Sequence, residues 1–185
     1  MLFRSWKARI NDPRRAVPRS VVDAFLTGAA LSREAGDTSA AAAQLDLLDR
    51  IAQQRRDPTL LRTLQAADVL GLAFQQHVFA QVSKDLQEQQ PLRPVAWIES
   101  VASPLAWNRG SGVPSPSLAA GGLLSLPFQV ILVPTDHIAR PWRILSVLHE
   151  VGHAIDEVLH LSADLAQRLP NGWKRWAEEL TADAL

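Results

Sequence analysis

Between Ser146 and Asp156 the chain reads S-V-L-H-E-V-G-H-A-I-D, setting two histidines four residues apart inside an apolar, helix-compatible run. On an α-helix the fourth residue on lies about 40° around the axis and about 6 Å along it, so His149 and His153 point at one shared position. Glu150 follows the first histidine directly and projects from an adjacent angle. Val147, Leu148, Val151, Ile155, Val158 and Leu159 surround these three with apolar surface, so the helix is expected to pack inside a domain. Unpaired imidazoles and a carboxylate are costly to bury there. A metal ion gripped by both histidines would account for them.

H-E-x-x-H is the spacing by which a helix presents two zinc ligands and a general base. A catalytic zinc takes three protein ligands and leaves a fourth position open, so a third ligand is needed. The candidates lie in W-A-E-E-L-T-A-D-A-L, residues 176–185. Glu179 is the chosen ligand. Asp183, four residues on, faces the same way on a helix and is placed to accept the free imidazole N–H of His149 or His153. Without the upstream histidines, Glu178, Glu179 and Asp183 would read as a solvated acidic face.

H-E-V-G-H-A-I-D followed by E-L-T-A-D-A-L resembles the zincin metallopeptidases whose third ligand is a glutamate, the gluzincins, and is more particularly similar to the paired motifs of lethal-factor-like peptidases. The likeness covers at most a third of the chain, and nothing before residue 120 takes part. It implies His149, His153 and Glu179 as ligands of one Zn²⁺ per chain, Glu150 as the catalytic base, Asp183 as the acid behind the ligands, and a peptide or protein substrate.

Asp156 and His160 return close to the azimuth of His149, but the axial rise from His153 to His160 is about 10 Å, too far for one ion bound at about 2 Å. The metzincin pattern breaks the helix with a glycine three residues after the second histidine and places a third histidine six after it; here those positions are Asp156 and Leu159. His160 is read as a helix-end histidine favoured by the dipole, and Asp156 as a pocket-wall carboxylate. The chain contains no tyrosine, so the candidates for stabilising an oxyanion are His137, Arg140 and His160, or a group beyond the present C-terminus. The sequence ends six residues after Glu179, which reads as a catalytic domain truncated at its C-terminus.

The 185 residues carry 19 basic and 19 acidic side chains, and this balance gives no global case for nucleic-acid binding. Without cysteine there is no disulfide and no thiolate site, so a metal must sit among nitrogen and oxygen ligands. No apolar run reaches the roughly 18 residues of a membrane span, and the N-terminus lacks a hydrophobic signal core. A cytoplasmic location is the default expectation. Arg4, Lys7, Arg9, Arg14, Arg15 and Arg19 against Asp12 read as a solvated, mobile terminus rather than a surface-binding arm.

Helical patterns dominate the first 90 residues. Val21 to Arg33 reads as a short amphipathic helix, D-T-S caps a second running to about Arg56, and Asp57-Pro58 begins a third expected to reach about Gln89. His77 rides on that helix as a structural residue. Between Gln90 and Gly122, prolines, glycines and serines suggest a long loop with P-V-A-W-I-E-S as its one strand-like piece. Phe128 to Val133 suits a buried or edge strand beside a cleft, where an extended substrate could pair. Trp107, Trp142, Trp173 and Trp176 are read mainly as core fillers, with pocket walls as the alternative.

The expected architecture is α+β: residues 1–90 a helical bundle, and residues 91–185 a zincin-like domain with a small sheet, an H-E-x-x-H helix and a glutamate helix. The expected activity is zinc-dependent hydrolysis of peptide bonds through an activated water with Glu150 as general base. The alternatives are an interaction domain with a structural or degenerate zinc site, and a zinc hydrolase acting on a non-peptide amide.

Overall fold

The structure is a computed structural model that describes residues 17–101, 103–107, 112–114, 123–126 and 128–185. The basic run from Arg4 to Arg15 lies outside the described residues. The chain is mixed α and β and mostly helical. Three helices come first, α1 Arg19–Glu34, α2 Thr38–Gln54 and α3 Pro58–Phe79, followed by the short α4 Lys84–Gln87. Then come β1 Val95–Glu99, β2 Leu105–Trp107, β3 Gly112–Pro114, β4 Leu123–Ser125 and β5 Val130–Pro134. After two 3₁₀ turns follow α5 Ser146–Leu159, α6 Leu161–Arg168 and α7 Ala177–Ala184. Among the described residues no helix is long and apolar enough to cross a membrane.

The helix starts follow local chemistry. Asp37 accepts the Ala40 N–H at the head of α2, and Asp57 accepts the Thr59 N–H at the head of α3, where Pro58 sits in the first turn. The third helix is shorter than its polar continuation suggested: it stops at Phe79, the last residue of its core-facing stripe, and Ser83 starts α4 separately. Beyond Phe79 the chain has few apolar side chains to bury, and helix propensity alone does not hold a helix in water.

β5 is the middle strand of a three-stranded sheet ordered β1-β5-β2, parallel to β1 and antiparallel to β2. Side-chain alternation along β1 and β5 gives the sheet two apolar faces. Val95, Trp97, Val130 and Leu132 face α1 and α2, packing with Phe25, Leu48 and Ile51. Ala96, Ile98, Ile131 and Val133 face α3 and α5, packing with Leu64, Phe79, Val147, Val151 and Ile155. Helices from before residue 90 therefore contribute to both cores around the sheet.

The outer edge of β1 is closed by side chains. Asp68 on α3 accepts the Ala96 N–H at 2.8 Å while Arg55 donates to the Ala96 carbonyl at 3.0 Å. Two residues along, the Gln54 amide donates to the Ile98 carbonyl at 2.6 Å and accepts its N–H at 3.0 Å. Arg55 and Asp68 are themselves an ion pair at 2.9 Å, with side chains 0% and 4% exposed. Burial pushes the Asp68 carboxyl up, and the Arg55 charge and Ala96 N–H oppose it.

Two readings from sequence are corrected. The stretch expected to be loop between Gln90 and Gly122 contains β2 and β3 besides β1; β5 takes the buried one of the two placements expected for Phe128 to Val133, and β2 lies at the end of the strand order. A three-residue strand carries too little periodicity to be seen locally, and β2 exists because β5 is there to pair with it. The tryptophans divide as well. Trp97 is buried and stacks edge-on against half-buried Trp107 at 5.8 Å, but Trp142, Trp173 and Trp176 are 68%, 58% and 47% exposed and are not core fillers.

Candidate metal centre

Along α5, His149, Glu150 and His153 fall on the side that meets α7 and β2, while Val147, Val151 and Ile155 turn to the core. The helix ends at His160, whose left-handed backbone (φ 54°) turns the chain, and the Asp156 carboxylate accepts the Ser162 N–H at 2.7 Å to start α6. Both Asp156 and His160 line the cleft. Asp156 thus holds the α5–α6 corner together from the pocket wall.

The docking of α7 on α5 depends on a glycine that the sequence reading passed over. A Cβ built on Gly152 would lie 2.9 Å from both the Cα and the carbonyl oxygen of Ala182, so the helix backbones touch at this point. Gly152 and Ala182 are small residues that allow close helix approach; their role becomes visible only when both helices are placed. Gly152→Ala is expected to cost about 1–3 kcal/mol, the usual penalty of overpacking, measured by chemical denaturation. A cost below about 0.5 kcal/mol would mean that α7 yields freely.

This contact brings distant residues together. His149 Nε2 and His153 Nε2 are 3.2 Å apart, and Glu179 Oε2 lies 3.2 Å from the first and 3.8 Å from the second. Asp183 Oδ1 is 2.8 Å from His149 Nδ1. A carboxylate has no proton to give, so Nδ1 of His149 carries the hydrogen and its lone pair is on Nε2, facing the cluster. Lone pairs converging on one point repel unless a cation or a shared proton lies between them. Zinc bonds of about 2.0–2.1 Å in a tetrahedral set put ligand atoms about 3.3 Å apart, close to the three separations found. His149, His153 and Glu179 can hold a metal ion.

Glu150 is buried beside them at the wall of an open cleft of about 790 Å³. Burial holds its carboxyl above the ordinary carboxylate range; His149, His153 and the Ala106 N–H of β2 draw it back, and Glu179 adds to the rise. The Ala106 N–H points at Glu150, so the outer edge of β2 faces the cleft. Besides Glu150, the lining includes Asp156, Glu157, Glu178 and Glu179, with no lysine or arginine among the described residues.

The other candidates lie elsewhere. His77 is exposed on α3 and meets Gln81. Arg140 pairs with Asp136 outside the cleft lining. His137 is 4% exposed, with Nδ1 3.0 Å from Asp136 and Nε2 3.2 Å from Ser146 Oγ. The His137 ring holds Asp136 below the ordinary carboxylate range, with Arg143 and Arg140 contributing. None of the described tryptophans lines the cleft.

Comparison of the chain with protein-family models, with curated proteins and with solved structures finds no match.

Proposed function

We propose that this chain is a zinc-dependent hydrolase of peptide bonds, a zincin-like enzyme of the glutamate-ligand type. The observation that carries the reading is the convergence of His149, His153 and Glu179 on one point, with the Glu150 carboxyl beside them in an open cleft. Zinc held by His149, His153 and Glu179 would supply Lewis-acid polarisation of a carbonyl and would lower the pKa of a bound water.

The chain's own residues would do the rest. Asp183 fixes the ring of His149 and keeps its Nε2 free to bind. Glu150, the residue directly after His149 on the helix and outside the ligand set, takes a proton from the attacking water. The outer edge of β2 offers backbone groups to an extended substrate, a mode that accepts many sequences. An accessible cleft favours catalysis over a closed structural site.

Metal content tests the ligand set. Chelator-washed protein reloaded with zinc is expected to retain one ion per chain, and His153→Ala and Glu179→Ala are each expected to lose it. Elemental mass spectrometry reads the result, followed by a peptide-library digest of the loaded wild type. Zinc retained at full stoichiometry in both variants would overturn the ligand assignment.

A further inference from the structure

We propose that Ser146, backed by His137, is a second proton donor in the cleft, serving the departing nitrogen of the substrate. The inference rests on the hydrolytic reading above.

Ser146 is the first residue of α5, three before His149 and four before Glu150. That spacing places it on their face of the helix, about 5–6 Å from each between Cβ atoms, and its side lines the same cleft. Behind it is His137, buried in a 3₁₀ turn and named from sequence only as one of three oxyanion candidates. The ring is held at both ends, Nδ1 against the Asp136 carboxylate at 3.0 Å and Nε2 against Ser146 Oγ at 3.2 Å. Asp136 is in turn fixed by Arg140 and Arg143. A nucleophile or acid within hydrogen-bond reach of an imidazole that a third group orients is a recurrent catalytic arrangement.

The hydroxyl has one proton. Without substrate it goes to the Arg143 carbonyl at 2.7 Å, which also accepts the Ser146 backbone N–H and so keeps a partner when the hydroxyl turns away. Oγ then accepts from His137 Nε2–H while giving its own proton to the substrate. In the step itself the ring enters as imidazolium, with Nδ1–H on Asp136 and Nε2–H on Ser146 Oγ; the C–N bond breaks, the nitrogen takes the Ser146 proton, Ser146 takes the Nε2 proton, and His137 is left neutral with Nδ1–H still on Asp136. The proton that Glu150 removed from water returns to the ring through solvent before the next turnover. Ser146 is the group that touches substrate; His137 is its positioning and proton-holding partner.

A substrate pair reads this role directly, because an amide needs its nitrogen protonated as it leaves and an activated aryl ester does not. Ser146→Ala and His137→Gln in the zinc-loaded protein are expected to lower the amide-to-ester ratio of kcat about 10²-fold, the lower end of what general acids contribute. Ser146→Thr, which keeps the hydroxyl, is expected to restore most of the amide rate. An equal fall on both substrates would mark a structural role and overturn the proposal, as would an unchanged ratio. Failure of the wild type to cleave either substrate would sink the hydrolytic reading and this one with it. In the metal-free protein, the ¹⁵N resonance of His137 Nε2 is expected to shift in Ser146→Ala; no shift would remove the hydrogen bond on which the relay depends.

Discussion

Glu150→Gln is expected to bind zinc at wild-type stoichiometry and to lose between about 10² and 10⁴ in kcat. The amide occupies the same volume beside β2 and can still meet the Ala106 N–H through its carbonyl oxygen, so the cleft keeps its shape. It cannot take a proton from water. Glu150 is outside the cluster formed by His149, His153 and Glu179, which is why metal content and turnover are expected to separate in this variant and to fall together in His153→Ala. The measurement is steady-state turnover on a peptide found in the library digest, alongside elemental analysis of the same sample. Turnover within a few-fold of wild type would remove Glu150 as the base.

Asp68→Ala is expected to destabilise the protein by about 3–5 kcal/mol, the usual cost of leaving a buried charge without its partner. For a chain of this size that corresponds to a fall of roughly 6–20 °C in Tm. Arg55 would be left with its side chain inaccessible to solvent, and the Ala96 N–H would lose its acceptor. Replacing both members by apolar residues, Arg55→Met with Asp68→Leu, is expected to recover only part of the loss. In a simple buried pair the recovery can be complete, but here the Ala96 N–H and carbonyl would both be left without those partners. A single-variant cost under 1 kcal/mol, measured by denaturant unfolding, would show that water reaches Arg55 and that the pair is not the closure it is taken to be.

The contrast between these two residues explains what could be read from the chain. Residues four apart on a helix share a face whatever the rest of the fold does. The pairing of His149 with His153, and of Glu179 with Asp183, was therefore a local geometric statement. That the two pairs meet is a tertiary fact, and it turns on Gly152 lying against Ala182, a contact between residues thirty apart with no side-chain signal of its own. Arg55 and Asp68 carried no sign of their partnership either, since nothing in the sequence near either residue tells that both meet Ala96 of β1. β2 escaped notice for the same reason, being a strand only in the presence of β5. The mixed, mostly helical character followed from periodicity; the exposure of Trp142, Trp173 and Trp176 did not, because residue type sets an average burial and not a position.

The sheet meets its surroundings in opposite ways at its two sides, and this bears on how the chain keeps company with copies of itself. An unpaired strand edge invites another chain to extend the sheet, and proteins commonly block that growth. At β1 the invitation is withdrawn by hydrogen bonding, since Gln54, Arg55 and Asp68 stand where the next strand would be. At β2 no further strand is paired among the described residues, and the approach runs past Glu150, which meets the Ala106 N–H, and past Asp156, Glu157, Glu178 and Glu179. A second copy offering its own β2 would bring the same five acids with it and be turned back by like charge. Among the described residues, one side of the sheet is closed by side chains of two helices, and the other borders an acidic cleft.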